Sequence, residues 1–293
     1  MMRYLRRFSK SPFKILLRLK TRSAISRLCN ETDGVLNLLG DALKETLKND
    51  VSQEEKLWID KIESLREELN SSATKISIVD YGAGTPRLRL TDEEMYAGRV
   101  VNKTIGKVCR NSSKSYFWSL LLFKLIRKFK PSFCLELGTC FGISASFQAA
   151  ALKLNGMGKI VTLEGAEPLA ALAKEHFHVL GLDNVSVVAG RFQDTLKDVL
   201  DAYVSVNYAF IDGHHDEKAT LAYFRQIIPF LSGRALLIFD DISWSAGMKR
   251  AWNTIRADER IKISLDLKQI GVCIIDNETL ARKSITIRMF RMM

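Results

Sequence analysis

The chain has 293 residues, of which 47% are apolar and 26% charged, and its formal net charge is +11. That apolar content excludes a chain that is disordered throughout, and no apolar run approaches the roughly 18 residues of a membrane span. The five cysteines are odd in number and lack zinc-site spacing, so the sequence indicates a reducing, cytoplasmic compartment without a disulfide scaffold.

The first 30 residues contain basic side chains and no acidic ones. Their apolar positions recur at helical spacing, which predicts a basic amphipathic leader over residues 1–30. This composition fits three interpretations: a disordered or packing leader, a helix over residues 1–28 that contacts an anionic membrane, or a mitochondrial-type presequence. A second window without acidic residues, 95–135, could face nucleic acid or be a solvated helix face.

Residues 31–91 predict an extension that consists of a helical hairpin followed by a β-hairpin. Leucines on one stripe form the first helix, and Ser52 with Glu55 is a capping box at the start of the second. Residues 92–130 then predict two lead-in helices. A capping box at Thr91 opens the first of these, which is predicted to continue through Val108.

The predicted β-hairpin joins strands at Lys75–Asp80 and Arg87–Thr91. Between them, Asp80–Gly84 has the D-x-G-x-G form of a nucleotide loop. Such a loop must run into a helix whose N-terminus faces the ligand, whereas Pro86 and a strand follow here. We therefore predict a hairpin turn.

Short strands alternate with helices over residues 131–276, which predicts a separate domain there. Five such units and a closing hairpin predict an α/β fold, a Rossmann-like, doubly wound, mostly parallel sheet of seven strands. Residues 277–293 are predicted as a tail strand. In this architecture ligands bind at the carboxyl ends of the strands, where the strand order reverses.

Polar residues and glycines stand at the end of every predicted parallel strand. Each alone could cap a turn or a helix, but carboxyl ends of parallel strands meet at one edge, so their joint placement predicts a binding site. After the successive strands stand Glu136 to Gly142, Glu164, Gly190 to Phe192, Asp212 to His215, and Asp240 with Asp241.

The glycine spacing disfavours a nicotinamide dehydrogenase. Gly138 and Gly142 are four residues apart, and the third glycine of the dinucleotide fingerprint is absent. Glu164 ends the second strand, where an acidic residue can bind both ribose hydroxyls of an adenosine-type ligand. The pattern favours a nucleoside without a pyrophosphate.

The segment Cys134–Ser144 closely resembles motif I of the class I S-adenosylmethionine-dependent methyltransferases. Phe210–His215 and Ile238–Ile242 strengthen the resemblance and point to the catechol O-methyltransferase-like and metal-dependent small-molecule or sugar O-methyltransferases. The resemblance covers about residues 113–276, so it implies that the domain at 131–276 is a methyltransferase domain. With Asp80–Gly84 included, the pattern is similar to a bacterial subgroup.

The resemblance implies a role for each strand end. S-adenosylmethionine (SAM) would be the cofactor, and three carboxylates would hold a divalent cation, Mg²⁺. The implied cofactor ligands are Glu136, Gly138, Thr139 and Gly142 at the methionine end with Ser144 nearby, Glu164 at the ribose, and Gly190, Arg191 and Phe192 at the adenine. The implied metal ligands are Asp212, Asp240 and Asp241.

The chain departs from the sugar O-methyltransferases after the fourth strand. They commonly have D-G-D-H there, with the second acid as the base, whereas this chain has His214 in its place. Histidine is a competent general base near neutral pH, so we assign catalysis to His214 and Asp212. In the alternative, His214 or His215 only orients Asp212. Trp244 and His215 are candidates for contact with the acceptor.

The expected function is SAM-dependent, Mg²⁺-assisted O-methylation of a small hydroxylated molecule or glycan, because a chelated cation stabilises an oxygen that loses its proton. Two alternatives stay open: an RNA methyltransferase that uses the basic windows, and a catalytically inactive adaptor. The N-P-P-Y-type loop of base methylators is absent, which makes nucleic acid the less favoured acceptor. The sequence does not indicate an oligomeric state.

Overall fold

A computed structural model describes residues 12–84, 90–203, 205–276 and 282–289, without the side chains of residues 12–15. The helices are α1 Pro12–Cys29, α2 Gly34–Lys48, α3 Gln53–Ser71, α4 Asp92–Ala97, α5 Ile105–Ser112, α6 Tyr116–Phe129, α7 Ile143–Leu154, α8 Glu167–Leu180, α9 Phe192–Ala202, α10 Glu217–Ile227 and α11 Ala246–Ala257. The strands are β1 Lys75–Asp80, β2 Arg99–Thr104, β3 Phe133–Leu137, β4 Lys159–Glu164, β5 Val185–Ala189, β6 Val206–Ile211, β7 Leu231–Phe239, β8 Ile263–Asp266, β9 Gly271–Asp276 and β10 Lys283–Thr286.

The helical part of the extension forms as predicted. The Asp33 carboxylate accepts hydrogen bonds from two backbone N–H groups at the start of α2. At the start of α3, Ser52 and Glu55 cap each other's backbone N–H groups. These bonds satisfy donors that a helix leaves unpaired at its N-terminus, so the local sequence sets where each helix begins.

The leader is described only in part. Residues 1–11 lie outside the described residues, and α1 begins at Pro12. Ile25 and Leu28 of α1 are buried in the same core cluster as α2, so this part of the leader packs on the protein. None of the helices in the described part of the chain is long and apolar enough to cross a bilayer.

The predicted β-hairpin was wrong in its second strand. β1 pairs antiparallel with β2, Arg99–Thr104, and not with Arg87–Thr91. Residues 87–89 lie outside the described residues, and residues 90–91 are not in a strand. The helix predicted to continue through Val108 is therefore two helices, α4 and α5, with β2 between them.

Gly98 explains why that helix is interrupted. It caps α4 at a φ of +72°, and a Cβ there would lie 2.4 Å from Val79 Cγ1 in the facing strand. Only glycine fits both the positive φ and this close approach. β-branched Val100, Val101 and Thr104 follow and favour a strand.

The main sheet has eight strands in the order β10-β8-β9-β7-β6-β3-β4-β5. β7, β6, β3, β4 and β5 are parallel, and β9 pairs antiparallel with both β7 and β8. The predicted count of seven was one short, because β10, from the predicted tail strand, pairs in parallel with β8. The order reverses at β3, where the chain moves outward through β4 and β5 and then returns to β6 on the other side.

Helices cover both faces of this sheet, so the doubly wound α/β prediction is confirmed. One core cluster packs α1, α2, α3, α6, α7 and α8 on one face, and a second packs α9, α10 and α11 on the other. Phe123 of α6 meets Phe147 of α7 edge to face, with ring centroids 6.5 Å apart. The first cluster is thus continuous across residue 131, where we predicted a domain boundary. That boundary stays a prediction.

Candidate functional site

A cavity of about 580 Å³ lies at the carboxyl ends of the parallel strands. Loops that follow β3, β4, β5, β6 and β7 line one side of it. The other side comes from Asp80–Gly84 of the extension and from residues 111–115, at the end of α5 and just before α6. Ligand sites of α/β sheets occupy this position, at the point where the strand order reverses.

The extension segment Asp80–Gly84 lies directly over the strand ends. Gly82 N–H donates to Asp80 Oδ1 at 2.9 Å, and Ala83 N–H donates to the backbone oxygen of His214 at 2.9 Å. A Cβ on Gly165 would lie 2.8 Å from the Tyr81 ring. We predicted a simple hairpin turn here, but Asp80–Gly84 forms one wall of the cavity. This wall coincides with the D-x-G-x-G pattern of the sequence.

The turn after β3 depends on glycine. Gly138 has a φ of +108°, and a Cβ there would lie 2.2 Å from the backbone oxygen of Asp212. The next turn residue, Cys140, also has a positive φ, and Gly142 begins α7 at a φ of +81°. This turn packs the end of β3 against the end of β6 and opens its backbone toward the cavity.

Glu164 ends β4 and faces the cavity. Its Oε2 accepts the N–H of Cys140 at 2.7 Å, and its Oε1 accepts the N–H of Ala166 at 2.9 Å. Burial raises the pKa of this carboxyl, and the backbone donors partly offset the effect. Each oxygen keeps lone-pair capacity for a ligand hydroxyl, since a carboxylate oxygen accepts about two hydrogen bonds.

Glu136 lies beneath the cavity and does not line it. Gln148 donates to its Oε1 at 2.7 Å, and Thr162 donates to its Oε2 at 2.6 Å. Burial raises its pKa to about 7, against hydrogen bonds from Thr162, Ser144 and Gln148. Thr162 also contacts the hydroxyl of Thr139 at 2.7 Å. Glu136 thus supports the residues that line the cavity.

The loop after β5 closes one end of the cavity. The Arg191 guanidinium stacks over the ring of Tyr96 at 3.9 Å and pairs with Asp194 at 2.6 Å. Phe192 meets Tyr223 edge to face at 5.8 Å. Gly190 does not line the cavity, but its N–H donates to the backbone oxygen of Glu164 and so fixes the loop beside β4.

Two carboxylates and a lysine ammonium meet at the ends of β6 and β7. Lys114 Nζ lies 3.1 Å from Asp212 Oδ2 and donates to Asp240 Oδ2. All three side chains are largely buried, with 8%, 11% and 1% of the Lys114, Asp212 and Asp240 side chains exposed. Lys114 comes from the segment between α5 and α6, so sequence analysis did not bring it to the site.

The charges in this cluster depend on each other. Burial lowers the pKa of Lys114, but the negative charges of Asp212 and Asp240 outweigh burial, so the lysine pKa is raised. Burial and the neighbouring Asp240 raise the pKa of Asp212. Burial also raises the pKa of Asp240, but the Lys114 ammonium outweighs this effect and holds that pKa below its ordinary value. The cluster is therefore a charged Lys114–Asp240 pair with Asp212 beside it.

The implied metal ligands do not fit a metal. The ammonium of Lys114 takes the position between Asp212 and Asp240 that a cation bound by both would need. Across the described ranges, no group of three His, Cys, Asp or Glu side chains is arranged to hold a metal ion. The chemistry of this donor set is that of a filled ion pair.

The two histidines face different partners. His214 Nδ1 lies 2.9 Å from the Tyr223 hydroxyl, and His215 Nε2 lies 3.8 Å from Asp212 Oδ1. The His215 ring lies beside Trp244, with centroids 6.0 Å apart. Burial lowers the pKa of both histidines. They are therefore predominantly neutral at pH 7.

Backbone strain concentrates at this rim. Seven described non-glycine residues have positive φ, and four of them line the cavity: Cys140, His214, His215 and Asp241. Such conformations cost energy and persist where the surrounding structure imposes them, which points to function at the site. Of the predicted site residues, those that line the cavity are Gly138, Thr139, Ser144, Glu164, Arg191, Phe192, Asp212, His214, His215, Asp240, Asp241 and Trp244. Those that do not are Glu136, Gly142 and Gly190.

Known proteins resemble the part of the chain that holds the strand ends. Residues 135–242 match the family model described as a methyltransferase domain. Because of this similarity, we refer to residues 131–276 as the methyltransferase domain. Its matched region begins in β3 and ends just after β7, so it includes every strand end described above. The sequence matches no curated protein.

Solved structures with the same fold include several methyltransferases. A candidate caffeoyl-CoA O-methyltransferase from Staphylococcus aureus has a TM-score of 0.51 and 17% identity over 58% of this chain and 88% of its own. The SAH-bound methyltransferase PaMTH1 from Podospora anserina has a TM-score of 0.50 and 19% identity over 56% and 80%. An O-methyltransferase from Bacillus cereus, in complex with SAH, has a TM-score of 0.49 and 23% identity over 57% and 84%. The first two likenesses support the fold of the methyltransferase domain.

Proposed function

We propose that this chain transfers the methyl group of SAM to a hydroxyl group of a small molecule bound in the strand-end cavity. The observation that carries the proposal is Glu164. Within a methyltransferase domain, its carboxylate is fixed at the end of β4 by two backbone N–H groups and faces the cavity. That arrangement suits the two hydroxyls of a ribose.

The rest of the rim fits the remaining parts of SAM. Gly138, Thr139 and Ser144 line the cavity near the start of α7, where the methionine end would lie. Arg191 and Phe192 border the position of the adenine. Glu136 acts from below, because it accepts a hydrogen bond from Thr162, whose hydroxyl contacts the hydroxyl of Thr139.

The acceptor would bind between the extension segment Asp80–Gly84 and the ends of β6 and β7. Trp244 and His215 provide an apolar and a polar surface there. A cavity of about 580 Å³ is in the range of small-molecule sites. Because the rim holds the sulfonium and the hydroxyl together, positioning supplies a large part of the rate.

The methyl transfer needs an acceptor oxygen that gives up its proton. The oxygen attacks the methyl carbon, the carbon–sulfur bond breaks, and its electron pair stays on sulfur to give S-adenosylhomocysteine. We assign the base to His214. When its Nδ1–H donates to the Tyr223 oxygen, Nε2 has a free lone pair for the hydroxyl proton. Mg²⁺ is not part of this proposal, because Lys114 fills the position it would need.

A calorimetric titration with SAM tests the cofactor assignment. We expect the wild-type protein to bind SAM, and Glu164→Ala to weaken binding by about 30-fold or more, since two charge-assisted hydrogen bonds are lost. Glu167→Ala is the matched control, because Glu167 is exposed and outside the cavity. A folded wild-type protein that does not bind SAM would refute the proposal, as would a Glu164→Ala variant with wild-type affinity.

A second measurement tests the acceptor class. S-adenosylhomocysteine should accumulate when the protein is given SAM and a panel of small hydroxylated molecules, and His214→Gln should slow that turnover while SAM affinity stays within about twofold. Turnover on RNA alone would instead support the nucleic-acid alternative. SAM binding with no turnover on either class would support the adaptor.

A further inference from the structure

We propose that the ammonium of Lys114 replaces the divalent cation at the strand-end carboxylates and itself stabilises the acceptor oxygen during methyl transfer. The inference rests on the proposed function and goes beyond it, because it makes the reaction independent of a metal ion. It also assigns a chemical role to the segment between α5 and α6, which Arg66 of the extension contacts.

The geometry is that of a cation held at a fixed position. The ammonium lies between Asp212 and Asp240 and also lines the cavity. It donates to Asp240 Oδ2, lies 3.1 Å from Asp212 Oδ2, and lies 5.9 Å from the centroid of the Phe210 ring. Asp240 Oδ1 is buried without a hydrogen-bond partner in the described part of the chain. Because Lys114 lines the cavity, its ammonium can reach the oxygen of an acceptor bound there.

The extension fixes Lys114 from outside the methyltransferase domain. Arg66 of α3 donates through Nη1 to the backbone oxygen of Lys114, and its Nη2 lies 3.4 Å from the Ser119 hydroxyl. Arg66 is itself held by Glu63 at 2.9 Å. Lys114 therefore arrives at the cavity on a segment with a defined backbone position, which an electrostatic group needs if it is to act without reorganisation.

The chemistry follows from charge. As the acceptor hydroxyl passes its proton to His214, negative charge develops on the oxygen, and the ammonium in a largely buried site stabilises that charge more than it would in water. The methyl then moves from sulfur to this oxygen, and the charge on the oxygen disappears. Lys114 keeps its own proton throughout, so it supplies no atom to the product.

Manganese binding provides a readout that does not depend on turnover. Mn²⁺ is added to the protein with SAM, and free Mn²⁺ is measured by electron paramagnetic resonance. We expect the wild-type protein to bind no Mn²⁺ at millimolar concentration. Lys114→Ala should gain binding at least about tenfold tighter than wild type, since removal of the ammonium leaves Asp212 and Asp240 for a cation.

Lys107→Ala is the matched control, because Lys107 is exposed on neighbouring α5 and outside the cavity. It should behave as wild type. Mn²⁺ binding by the wild-type protein that Asp212→Asn abolishes would overturn the inference. A folded Lys114→Ala variant that still binds SAM but gains no Mn²⁺ would also overturn it.

The outcomes separate this inference from the function on which it rests. Failure of the wild-type protein to bind SAM refutes the function, whatever Mn²⁺ does. If Lys114→Ala does not fold, the wild-type measurement alone decides. Once an acceptor is known, Lys114→Ala should lower kcat by about 100-fold with little change in the KM for SAM, and a chelator should leave wild-type turnover unchanged.

Discussion

The methyltransferase domain and the N-terminal extension contribute to the same cavity by different means. In the domain, the residues at the ends of β3, β4, β6 and β7 converge because parallel strands end at one edge. Asp80–Gly84 of the extension, and Lys114 between α5 and α6, reach that edge through long-range packing. The domain's share of the site follows a general rule of the fold, whereas the share of the preceding residues depends on contacts between residues far apart in the sequence.

Their energetic roles differ as well. The domain provides fixed backbone turns and a buried hydrogen-bond network around Glu136 and Glu164, which suit a constant cofactor. The extension provides a wall of the cavity and, through Arg66, holds the segment that carries the Lys114 charge. We therefore expect changes in the domain to impair folding and SAM binding, and changes in the extension to impair turnover.

The largest effect should come from Gly138→Ala in the domain. A Cβ there would lie 2.2 Å from a backbone oxygen and would require a φ of +108°. Neither can relax without moving β3 away from β6, so we expect a loss of more than about 4 kcal/mol of stability and no SAM binding. Thermal unfolding and SAM titration measure both.

Gly156→Ala is the control that measures the cost of a positive φ without a steric clash. Gly156 has a φ of +70°, and a Cβ added there would meet no atom within 4 Å. Only the cost of positive φ applies, about 1–2 kcal/mol. Equal losses in the two variants would show that the contact between Gly138 and the end of β6 does not matter.

A smaller effect should appear in the pH dependence of stability. The Glu136 carboxyl has an ordinary pKa of 4.5 and a pKa of about 7 in the folded protein. Between these values the folded state binds the extra proton, so stability falls as pH rises, and the loss is complete above pH 7. Glu136→Gln removes this titration, and the wild-type protein should lose up to about 3 kcal/mol relative to it.

Melting temperatures of the two proteins from pH 4.5 to pH 8 test this. The difference between them should grow with pH and then level off. Glu167→Gln is the control, since Glu167 is exposed, and its melting temperature should track wild type at every pH. A constant difference between Glu136→Gln and wild type would contradict the raised pKa.

The smallest effect should come from the extension. Arg66→Met removes the bond to the Lys114 backbone, so the ammonium is held less firmly and kcat should fall by about tenfold with unchanged SAM affinity. Arg110→Met is the control, because Arg110 also bonds to α3, at the backbone oxygen of Asn70, without contacting Lys114. Weakened SAM binding in Arg66→Met, or equal loss in both variants, would contradict a positioning role.

The order of strands and helices in the domain could be predicted because each element there has a local sequence pattern. In the extension, the capping residues Ser52 and Thr91 predicted helix starts correctly, since capping is also local. The partner of β1 could not be predicted, because strand pairing depends on residues far along the chain. Gly98, read as part of a helix, was the residue that ended it.

The candidate site could likewise be predicted only where its residues belong to a local sequence pattern. Residues that follow strands, such as Glu164 and Asp212, could be assigned to one rim from the fold class alone. Lys114 could not, because no spacing or motif connects it to Asp240, 126 residues away. In the proposed mechanism the Lys114 ammonium stands where the family resemblance implies a metal ion. A sequence motif can therefore match a family while the cation beside its carboxylates differs.

The first and last described segments of the chain are in contact. The Thr21 hydroxyl of α1 donates to the backbone oxygen of Arg288 at 2.8 Å, and Lys283 pairs with Glu31 at 2.9 Å. During synthesis Arg288 is added 267 residues after Thr21. The helix α1 can therefore make this contact only after residue 288 has left the ribosome, later than its contacts with the neighbouring helix α2.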